Sequence, residues 1–395
     1  MNRRQTRRLQ SAVALTAVLS LAACSQDGPL APEFESARAS NTVEAVPGFS
    51  VMTWNLYVGA RLENLLVITD PSTIPFEVTK LVGEVMATDF PARAEAIVDQ
   101  IERTNPAVVS LQEMSEFRMQ SPGDFLVGNP VPATDPFMDW RVILDNALTN
   151  RGLSYSVVAQ AMNFDIELPM VDFSTGGLDD VRLTDYDVIL VRDDVRWKSA
   201  ASGNFEAVLP LDLGGFTIPK PSGWAAVDVR LDQRWYRVFN THLEPADLPG
   251  GGVNPQLAAL HAAQYAELSA IMHRSRNPQI LTGDINSAAD GSSTPTYQQL
   301  LQEGFIDLWV AGAGAGSGYT SNQEADLKNP VSQLFHRIDF ILFRHPSAKK
   351  TGVLPGPAAA EVVGDEPADR TPGGLWPSDH AGVVTSMTLF NRGNR

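Results

Sequence analysis

Short segments of β-strand character recur along this chain, and many of them end in polar side chains. Ser50 to Trp54 alternates in polarity and leads into Asn55. Ala107 to Leu111 is a continuous apolar run that ends in Gln112 and Glu113. Alternation with a period of two and short buried runs are both typical of strands. The same patterns predict strands at Tyr155 to Gln160, Val188 to Val191, Trp224 to Val229, Tyr236 to Asn240, Arg337 to Phe343 and Ala381 to Leu389, and a strand followed by a turn at Gln279 to Asn286.

Helical spacing of apolar residues occurs between these strands. The segment from Asp89 to Arg103 is the clearest case, because Asp89 can cap a helix and Pro91 suits its first turn. Further helices are predicted at Asp139 to Arg151, Pro255 to His273 and Thr294 to Gln302. Helices scattered among strands, without regular strand-helix-strand repeats, predict an α+β fold. We expect a four-layer α/β/β/α arrangement, in which two mixed, mainly antiparallel sheets pack face to face as a sandwich with helices on both outer faces.

Three segments interrupt this pattern. Leu62 to Met86 has mixed character and is expected to be an inserted lid over a functional site. Ser121 to Pro136 is an excursion rich in proline and glycine. Ala311 to Gly318 is a loop of glycine and alanine, and because no Lys-Ser or Lys-Thr follows it, it does not match a phosphate-binding P-loop.

The first 23 residues have the pattern of a signal peptide. Four arginines precede an apolar run from Ala12 to Ala23, which is too short to span a bilayer as a permanent helix. Cys24 is the only cysteine, and with the preceding Leu-Ala-Ala it resembles a bacterial lipoprotein cleavage box. That resemblance implies lipidation at Cys24; the alternative is ordinary secretory cleavage beside a cysteine of no consequence. We expect a lipid-anchored protein of the cell envelope, on the outer membrane in a Gram-negative cell, or a secreted one.

Composition separates a tether from a single large domain. Residues 24–48 are rich in Ser, Asp, Pro, Glu and Ala and predict a disordered tether, so the globular domain is expected to span residues 49–395. Without the four arginines of the leader, the chain carries 26 basic residues against 46 acidic ones, a net charge near −20. Such a surface does not attract polyanions unaided. A phosphate-containing substrate would therefore need a locally positive site, which here means bound metal ions.

The polar residues at the strand ends are of one chemical kind. Carboxylate and amide oxygens suit a hard cation such as Mg²⁺, with Mn²⁺ or Ca²⁺ as possible substitutes. Two histidines among them can transfer protons near neutral pH. The residues concerned are Asn55, Glu113, His242, Asp284, Asn286, Asp339, Asp379 and His380.

Six short motifs around these residues occur in one order along the chain. They are Trp54-Asn55, Leu111-Gln112-Glu113, Thr241-His242-Leu243, Gly283-Asp284-Ile285-Asn286, Arg337-Ile338-Asp339 and Ser378-Asp379-His380. Together they resemble the endonuclease/exonuclease/phosphatase superfamily, which includes deoxyribonuclease I, neutral sphingomyelinases and inositol polyphosphate 5-phosphatases. The resemblance extends from Phe49 to the C-terminus.

This resemblance implies a divalent-metal-dependent phosphoesterase that uses in-line attack of an activated water. The implied metal ligands are Asn55, Glu113 and Asp379. The implied phosphate-binding residues are Asn55, His242 and Asn286. The implied catalytic residues are His242, Asp284, Asn286, Asp339 and His380. Among these, Asp284 would orient or deprotonate the water, and Asp339 would hold the imidazole of His380.

Some positions depart from the family pattern or allow a simpler interpretation. The family's tyrosine and glutamate that support the second histidine have no clear match, although Asn163, Asp165 and Glu167 lie in the right region. Asp339 could instead pair with Arg337. His242 could be a core residue, and His336 and His345 are expected on the surface.

Several alternatives stay open at the level of function. The substrate is a nucleic acid, a phospholipid or a small phosphoester, and a monomer is expected. The first alternative is a catalytically silent, metal-stabilised surface binding lipoprotein of the same fold. The second is a structural lipoprotein whose acidic surface binds cations, which predicts no buried cluster of these residues.

Overall fold

A computed structural model describes residues 49–128, 131–213, 217–231, 233–247, 252–312, 314, 316–345 and 359–387. All of them belong to one compact unit, Ala45–Arg395. The predicted leader, the lipidation site and the tether lie outside the described residues, so they stay predictions. None of the described helices is long and apolar enough to cross a membrane.

The described residues form fifteen strands and six α-helices. The strands are β1 (Phe49–Asn55), β2 (Val108–Gln120), β3 (Asp135–Asp139), β4 (Tyr155–Asp172), β5 (Gly177–Arg192), β6 (Trp197–Asn204), β7 (Leu209–Asp212), β8 (Thr217–Lys220), β9 (Gly223–Leu231), β10 (Arg234–His242), β11 (Gln279–Asp284), β12 (Ile306–Asp307), β13 (Asp339–Arg344), β14 (Ala359–Val363) and β15 (Gly382–Met387). The helices are α1 (Ile74–Ala87), α2 (Phe90–Thr104), α3 (Trp140–Asn150), α4 (Pro255–Met272), α5 (Thr296–Gln302) and α6 (Leu308–Ala311).

Most of these strands belong to two mixed sheets. The first has the order β14-β15-β1-β2-β5-β4, with β3 paired to β2, and the second has the order β12-β13-β11-β10-β9-β6. The pairs β1–β2 and β10–β11 are parallel, and the other pairs within the two sheets are antiparallel. Strands β7 and β8 form a separate two-stranded sheet.

Alternating side chains divide the core into three apolar layers. Within β10, Val238 packs in the layer between the two sheets, whereas Phe239 packs on the outer face of the second sheet with α4 and α5. On the outer face of the first sheet, Trp54 packs with residues of α1, α2 and α3. The period of two along each strand therefore supplies both faces of each sheet. The predicted α/β/β/α sandwich is confirmed.

The local signals for the helices also agree with the structure. Asp89 caps α2 by accepting a hydrogen bond from the backbone N–H of Ala92, at 3.3 Å. Asp139 caps α3 in the same way through Arg141 N–H, at 2.9 Å. These carboxylates satisfy N–H groups that have no partner inside the helix.

Other segments differ from the sequence prediction. The strands expected at Tyr155 to Gln160 and Val188 to Val191 are the ends of one long hairpin, β4 and β5. The segment expected as a lid contains two short 3₁₀ turns and α1, and several of its residues line the cavity described below. Strand β6 was not predicted, because most of its residues are exposed and the apolar alternation is missing.

Gly283, at the end of β11, has a φ of +136°. A Cβ at this position would lie 2.0 Å from the carbonyl oxygen of Thr241 on the neighbouring strand. We therefore expect Gly283→Ala to lower the free energy of unfolding by at least about 1–3 kcal/mol from backbone strain alone. Thermal or urea unfolding would measure the loss.

Gly83 is the matched control for this substitution. It lies inside α1, where an added Cβ would have no neighbour within 4 Å. Gly83→Ala should leave stability unchanged or raise it by about 0.5–1 kcal/mol, because alanine favours helix. Equal stabilities of the two variants would contradict the strain assigned to Gly283.

Candidate active site

The register of the second sheet places three polar residues in a row. His242 lies opposite Asp284 in the parallel pair β10–β11, and Asp284 lies opposite Asp339 in the antiparallel pair β11–β13. The side chains of Asp284 and Asp339 are almost fully buried, and that of His242 is partly exposed. One edge of the sheet therefore brings together residues nearly one hundred positions apart.

The first sheet contributes Asn55 and Glu113 to the same place. The side-chain amide of Asn55 donates to Glu113 Oε1 at 2.9 Å and to Asp284 Oδ2 at 3.2 Å, which links the two sheets. Glu113 has a φ of +57° and lies in a β-bulge between Leu111 and Met114. Bulges re-aim side chains next to functional sites. This bulge turns Glu113 towards Val58, whose N–H donates to Oε2 at 2.7 Å.

His380 and Asp339 form a hydrogen-bonded pair. His380 Nδ1 lies 2.9 Å from Asp339 Oδ2, and its Nε2 lies 3.8 Å from Asp284 Oδ2. Because the carboxylate accepts the proton on Nδ1, it fixes the ring so that Nε2 faces the site. The alternative of a pair between Asp339 and Arg337 fails, since Arg337 donates to Asp307 at 2.6 Å.

The remaining polar residues complete the arrangement around Asp284. His242 Nε2 lies 3.5 Å from Asp284 Oδ2. Asn286 has a φ of +49°, which lets its backbone N–H donate to Asp284 Oδ1 at 2.9 Å. Its side-chain amide donates to the carbonyl of Leu243 at 2.8 Å. Asp379 Oδ1 lies 4.0 Å from His380 Nε2.

Burial and the crowding of like charges raise the pKa values of two acidic groups in the site. Burial, together with the charges of Glu113 and Asp284, raises the pKa of Asp379 to about 7, although His380 opposes the shift. Burial and the charge of Asp339 also raise the pKa of Asp284. Each shift reflects carboxylates held close together out of water.

The same negative charges raise the pKa values of the two histidines, whereas burial lowers them. Burial lowers the pKa of His380, but Asp339 and Asp379 outweigh it and raise that pKa well above its ordinary value. For His242, burial likewise lowers the pKa, while the charges of Asp284 and Glu113 more than offset burial. Both rings are therefore held ready to carry a proton beside the carboxylates.

The donor set fits a divalent cation. Ligand atoms of Asp284, Asp339 and His380 all lie within 4.8 Å of one another, and Asp339 Oδ1 is buried without a hydrogen-bond partner. Glu113 and Asp379 add carboxylate oxygens to the same cavity. The amide oxygen of Asn55 already accepts from Tyr57 N–H at 2.9 Å, which leaves it one lone pair. Oxygen donors of this kind are those that Mg²⁺, Mn²⁺ and Ca²⁺ prefer.

One cavity of about 610 Å³ contains these groups. Seven of the eight predicted site residues line it, and Asp339 lies behind His380. The lid segment adds Leu62 and Leu65 to one wall, and Leu209 and Leu211 add further apolar surface. His336, expected on the surface, also lines the cavity. The sandwich thus ends in a cleft with carboxylates and imidazoles at its base and partly apolar walls.

Sequence reasoning missed two acidic residues near His242. Asp187 is fully buried with no hydrogen-bond partner for either oxygen, and burial raises its pKa to about 7. Asp185 lies beside it, and Asn163 donates to it at 3.3 Å. The signal was the pair of acids two positions apart just before Val188, which the predicted strand left out.

Asn163 lies beside Asp185 because a bulge in β4 directs its side chain towards the cavity. The other two residues considered for that region point elsewhere. Asp165 pairs with Arg182 at 2.7 Å, and Glu167 accepts from Ala133 N–H at 2.7 Å. Neither lines the cavity.

Comparison with known proteins identifies the family of this chain. The model of the Endonuclease/Exonuclease/phosphatase family matches residues 52–380, which covers most of the chain. The chain belongs to this family. Members of the endonuclease/exonuclease/phosphatase family are divalent-metal-dependent hydrolases of phosphoesters. The resemblance drawn from the six motifs is therefore confirmed.

Solved structures of the family are similar to this chain at low sequence identity. A family protein from Leptotrichia buccalis is 13% identical over 87% of this chain and 100% of that chain, with a TM-score of 0.49. A mannosyl-6-phosphatase from Bacteroides thetaiotaomicron is 15% identical over 86% of this chain and 99% of that chain, with a TM-score of 0.49. A truncated TDP2 from Caenorhabditis elegans is 14% identical over 86% of this chain and 97% of that chain, with a TM-score of 0.44. Among curated protein sequences, none shows significant similarity.

Proposed function

We propose that this chain hydrolyses a phosphodiester or phosphomonoester by in-line attack of a water molecule at phosphorus, with Mg²⁺ or a similar divalent cation bound in the cleft. The observation that carries the proposal is the His380–Asp339 pair at 2.9 Å, with Nε2 facing Asp284 in the cavity that also holds Glu113. A positioned imidazole, a carboxylate base and a cation site in one cleft supply what this reaction requires.

Asp284 is the group suited to activate the water. Its Oδ1 is held by Asn286 N–H, and its raised pKa makes it a better base than an exposed aspartate. The water oxygen forms the new bond to phosphorus, and its proton passes to Asp284. The bond from phosphorus to the leaving oxygen breaks on the opposite side.

The histidines and amides act on the charge that develops during this step. A protonated histidine, His380 or His242, donates its proton to the leaving oxygen or to a phosphate oxygen. The side-chain amide of Asn286 donates one N–H to Leu243, which leaves the other for a phosphate oxygen.

Both N–H groups of Asn55 are engaged by Glu113 and Asp284. Asn55 would therefore act through its amide oxygen, which joins Glu113 and Asp379 around the cation. When bound, the cation neutralises phosphate charge and polarises the ester.

A substrate panel tests the proposal. Duplex DNA, RNA, sphingomyelin, inositol phosphates and bis-p-nitrophenyl phosphate would be assayed separately with Mg²⁺, Mn²⁺ and Ca²⁺. Hydrolysis of at least one substrate with at least one cation is expected. No hydrolysis across the panel, together with measurable cation binding, would instead support a surface binding lipoprotein without turnover.

We also propose that the protein is lipidated at Cys24 and acts outside the cytoplasm. The arginine-rich start, the short apolar run and the single cysteine after Leu-Ala-Ala support this proposal. Cys24→Ala is expected to move the protein from the membrane fraction to the soluble fraction or to leave its leader uncleaved. Fractionation and the mass of the chain would measure both; a variant that stays in the membrane fraction with its leader cleaved would contradict lipidation.

A further inference from the structure

Arg93 is a fully buried cation behind the candidate active site. It lies in the first turns of α2, and its guanidinium carbon is 5.1 Å from the ring centre of Phe90 and 5.2 Å from that of Trp140. Burial lowers its pKa to about 10, so it stays protonated at neutral pH. A buried charge is costly unless hydrogen bonds satisfy it.

All four hydrogen bonds of this guanidinium go to backbone carbonyl oxygens in three separate segments. Nη1 donates to Leu56 at 2.6 Å and to Pro377 at 3.0 Å, and Nη2 donates to Tyr57 at 3.1 Å. Nε donates to Thr88 at 2.8 Å. The planar fork of arginine suits several acceptors spread in one plane, which a lysine ammonium cannot match.

Two of these segments carry site residues. Leu56 and Tyr57 directly follow Asn55, and Tyr57 N–H donates to the side-chain oxygen of Asn55 at 2.9 Å. The next N–H, from Val58, donates to Glu113 Oε2 at 2.7 Å. The turn fixed by Arg93 therefore sets the direction of both side chains.

The other segment carries the Ser378-Asp379-His380 motif. Pro377, which accepts from Arg93, directly precedes it. Ser378 Oγ donates to the carbonyl of Asn55 at 2.7 Å, so the two segments also touch each other. Arg93 thus connects two segments that lie 37 residues before it and 284 residues after it in the sequence.

We propose that Arg93 is a positioning residue for the cation site, because it holds the turn after Asn55 and the segment before Asp379 at a fixed separation. The proposal rests on the proposed function, since it assigns Arg93 to the cation held by Glu113 and Asp379. Outer hydrogen-bond partners of metal ligands typically change metal affinity about 10- to 100-fold when substituted.

The experiment compares Mn²⁺ binding to the full chain and to two variants, followed by the electron paramagnetic resonance signal of free Mn²⁺. Arg93→Lys keeps the positive charge but loses the planar set of guanidinium donors, whereas Arg93→Met removes both the charge and the donors. We expect Arg93→Lys to bind Mn²⁺ about 10- to 100-fold more weakly. Arg93→Met should bind at least as weakly where it folds; Arg93→Lys decides the question if it does not.

Arg344→Lys is the matched control. Arg344 is also buried, but it lies at the end of β13 away from Asp339 and donates to Gln279 and Glu303. This variant should lose stability and keep wild-type Mn²⁺ affinity. A second readout separates positioning from a general structural role: saturating Mn²⁺ should restore most of the kcat of Arg93→Lys.

Wild-type Mn²⁺ affinity in Arg93→Lys would overturn the proposal, even if its Tm were lower. So would equal weakening in Arg344→Lys, because the effect would then follow from stability alone. If the unsubstituted chain bound no Mn²⁺, the proposed function would fail and this inference with it. Hydrolysis by the unsubstituted chain with unaltered Mn²⁺ binding in Arg93→Lys would overturn only the role of Arg93.

Discussion

His380→Ala is expected to lower kcat on the best substrate by about 100- to 10,000-fold, or roughly 3 to 5 kcal/mol of barrier, with little change in Tm. The His380 side chain is 12% exposed and lines the cavity, so it contributes its proton rather than core packing. Asp284→Asn should cause a comparable loss, since an amide cannot take the proton of the attacking water. Steady-state kinetics and thermal unfolding of the same preparations would measure both effects. His273→Ala, on the exposed end of α4, is the control and should keep wild-type kcat.

The hydrogen bond between Asp339 and His380 predicts that substitutions of these two residues do not have independent effects on kcat. Asp339→Asn should act in the same direction as His380→Ala, because the amide no longer fixes the ring with Nδ1 protonated. The double variant should lose little more than His380→Ala alone, since both changes disable one unit. If the two losses multiplied, Asp339 and His380 would act independently, and the role of Asp339 would have to be withdrawn.

The parts of the site that could be predicted from sequence follow from strand ends. A buried apolar run followed by a polar residue predicts that the residue leaves the strand at a sheet edge, as Asn55 and Asp284 do. Six short motifs in order also indicated the family and its fold, although those at Asp339 and His380 stand at or before the start of their strands rather than after them. Each motif alone carries little information, whereas their common order along the chain carries much. The apolar periodicity of the strands and the polar residues at their ends were sufficient to predict these site positions.

Other features of the site depend on contacts between distant segments, which the local pattern of apolar and polar residues does not predict. The bulge at Glu113 and the bulge at Asn163 change the direction of side chains without changing the residue pattern. Asp187 lies inside the sandwich although charged residues normally mark a solvent-facing position. Arg93 looks like part of the polar face of a helix, and its role depends on carbonyl groups from distant segments. These residues do not follow the simple pattern of apolar core and polar surface. They lie at or near the site, where the requirements of function compete with those of stability.

Removal of divalent cations is expected to abolish hydrolysis, and added Mg²⁺ or Mn²⁺ should restore it. The cleft holds several carboxylates on a chain of net charge −16, so without a cation it would repel a phosphate. The same binding should be visible without turnover. A cation at 100 times its Kd stabilises the folded state by about 2.7 kcal/mol, which would raise Tm. Persistent turnover in excess chelator would show that the reaction does not use the proposed cation.

Glu113→Gln separates the charge of this ligand from its shape. Asn55 and Val58 hold the two carboxylate oxygens of Glu113, and glutamine can keep only one oxygen acceptor in that place. We expect the variant to need a higher cation concentration for half-maximal activity and for the rise in Tm. Glu361→Gln, at an exposed ion pair with Arg103, is the matched control and should behave as the unsubstituted chain does. A variant with an unchanged cation requirement would remove Glu113 from the proposed ligands.

The pH dependence of cation binding gives an independent check on the same ligands. Burial and neighbouring carboxylates raise the pKa of Asp379 to about 7, so below pH 7 a proton occupies the carboxyl group that the cation needs. Metal binding to such a site releases protons, and its affinity falls as pH falls. The concentration of Mg²⁺ required at pH 6 should therefore exceed that required at pH 8, and Asp379→Asn should flatten this dependence. An affinity that stayed constant between these pH values would mean that Asp379 does not bind the cation.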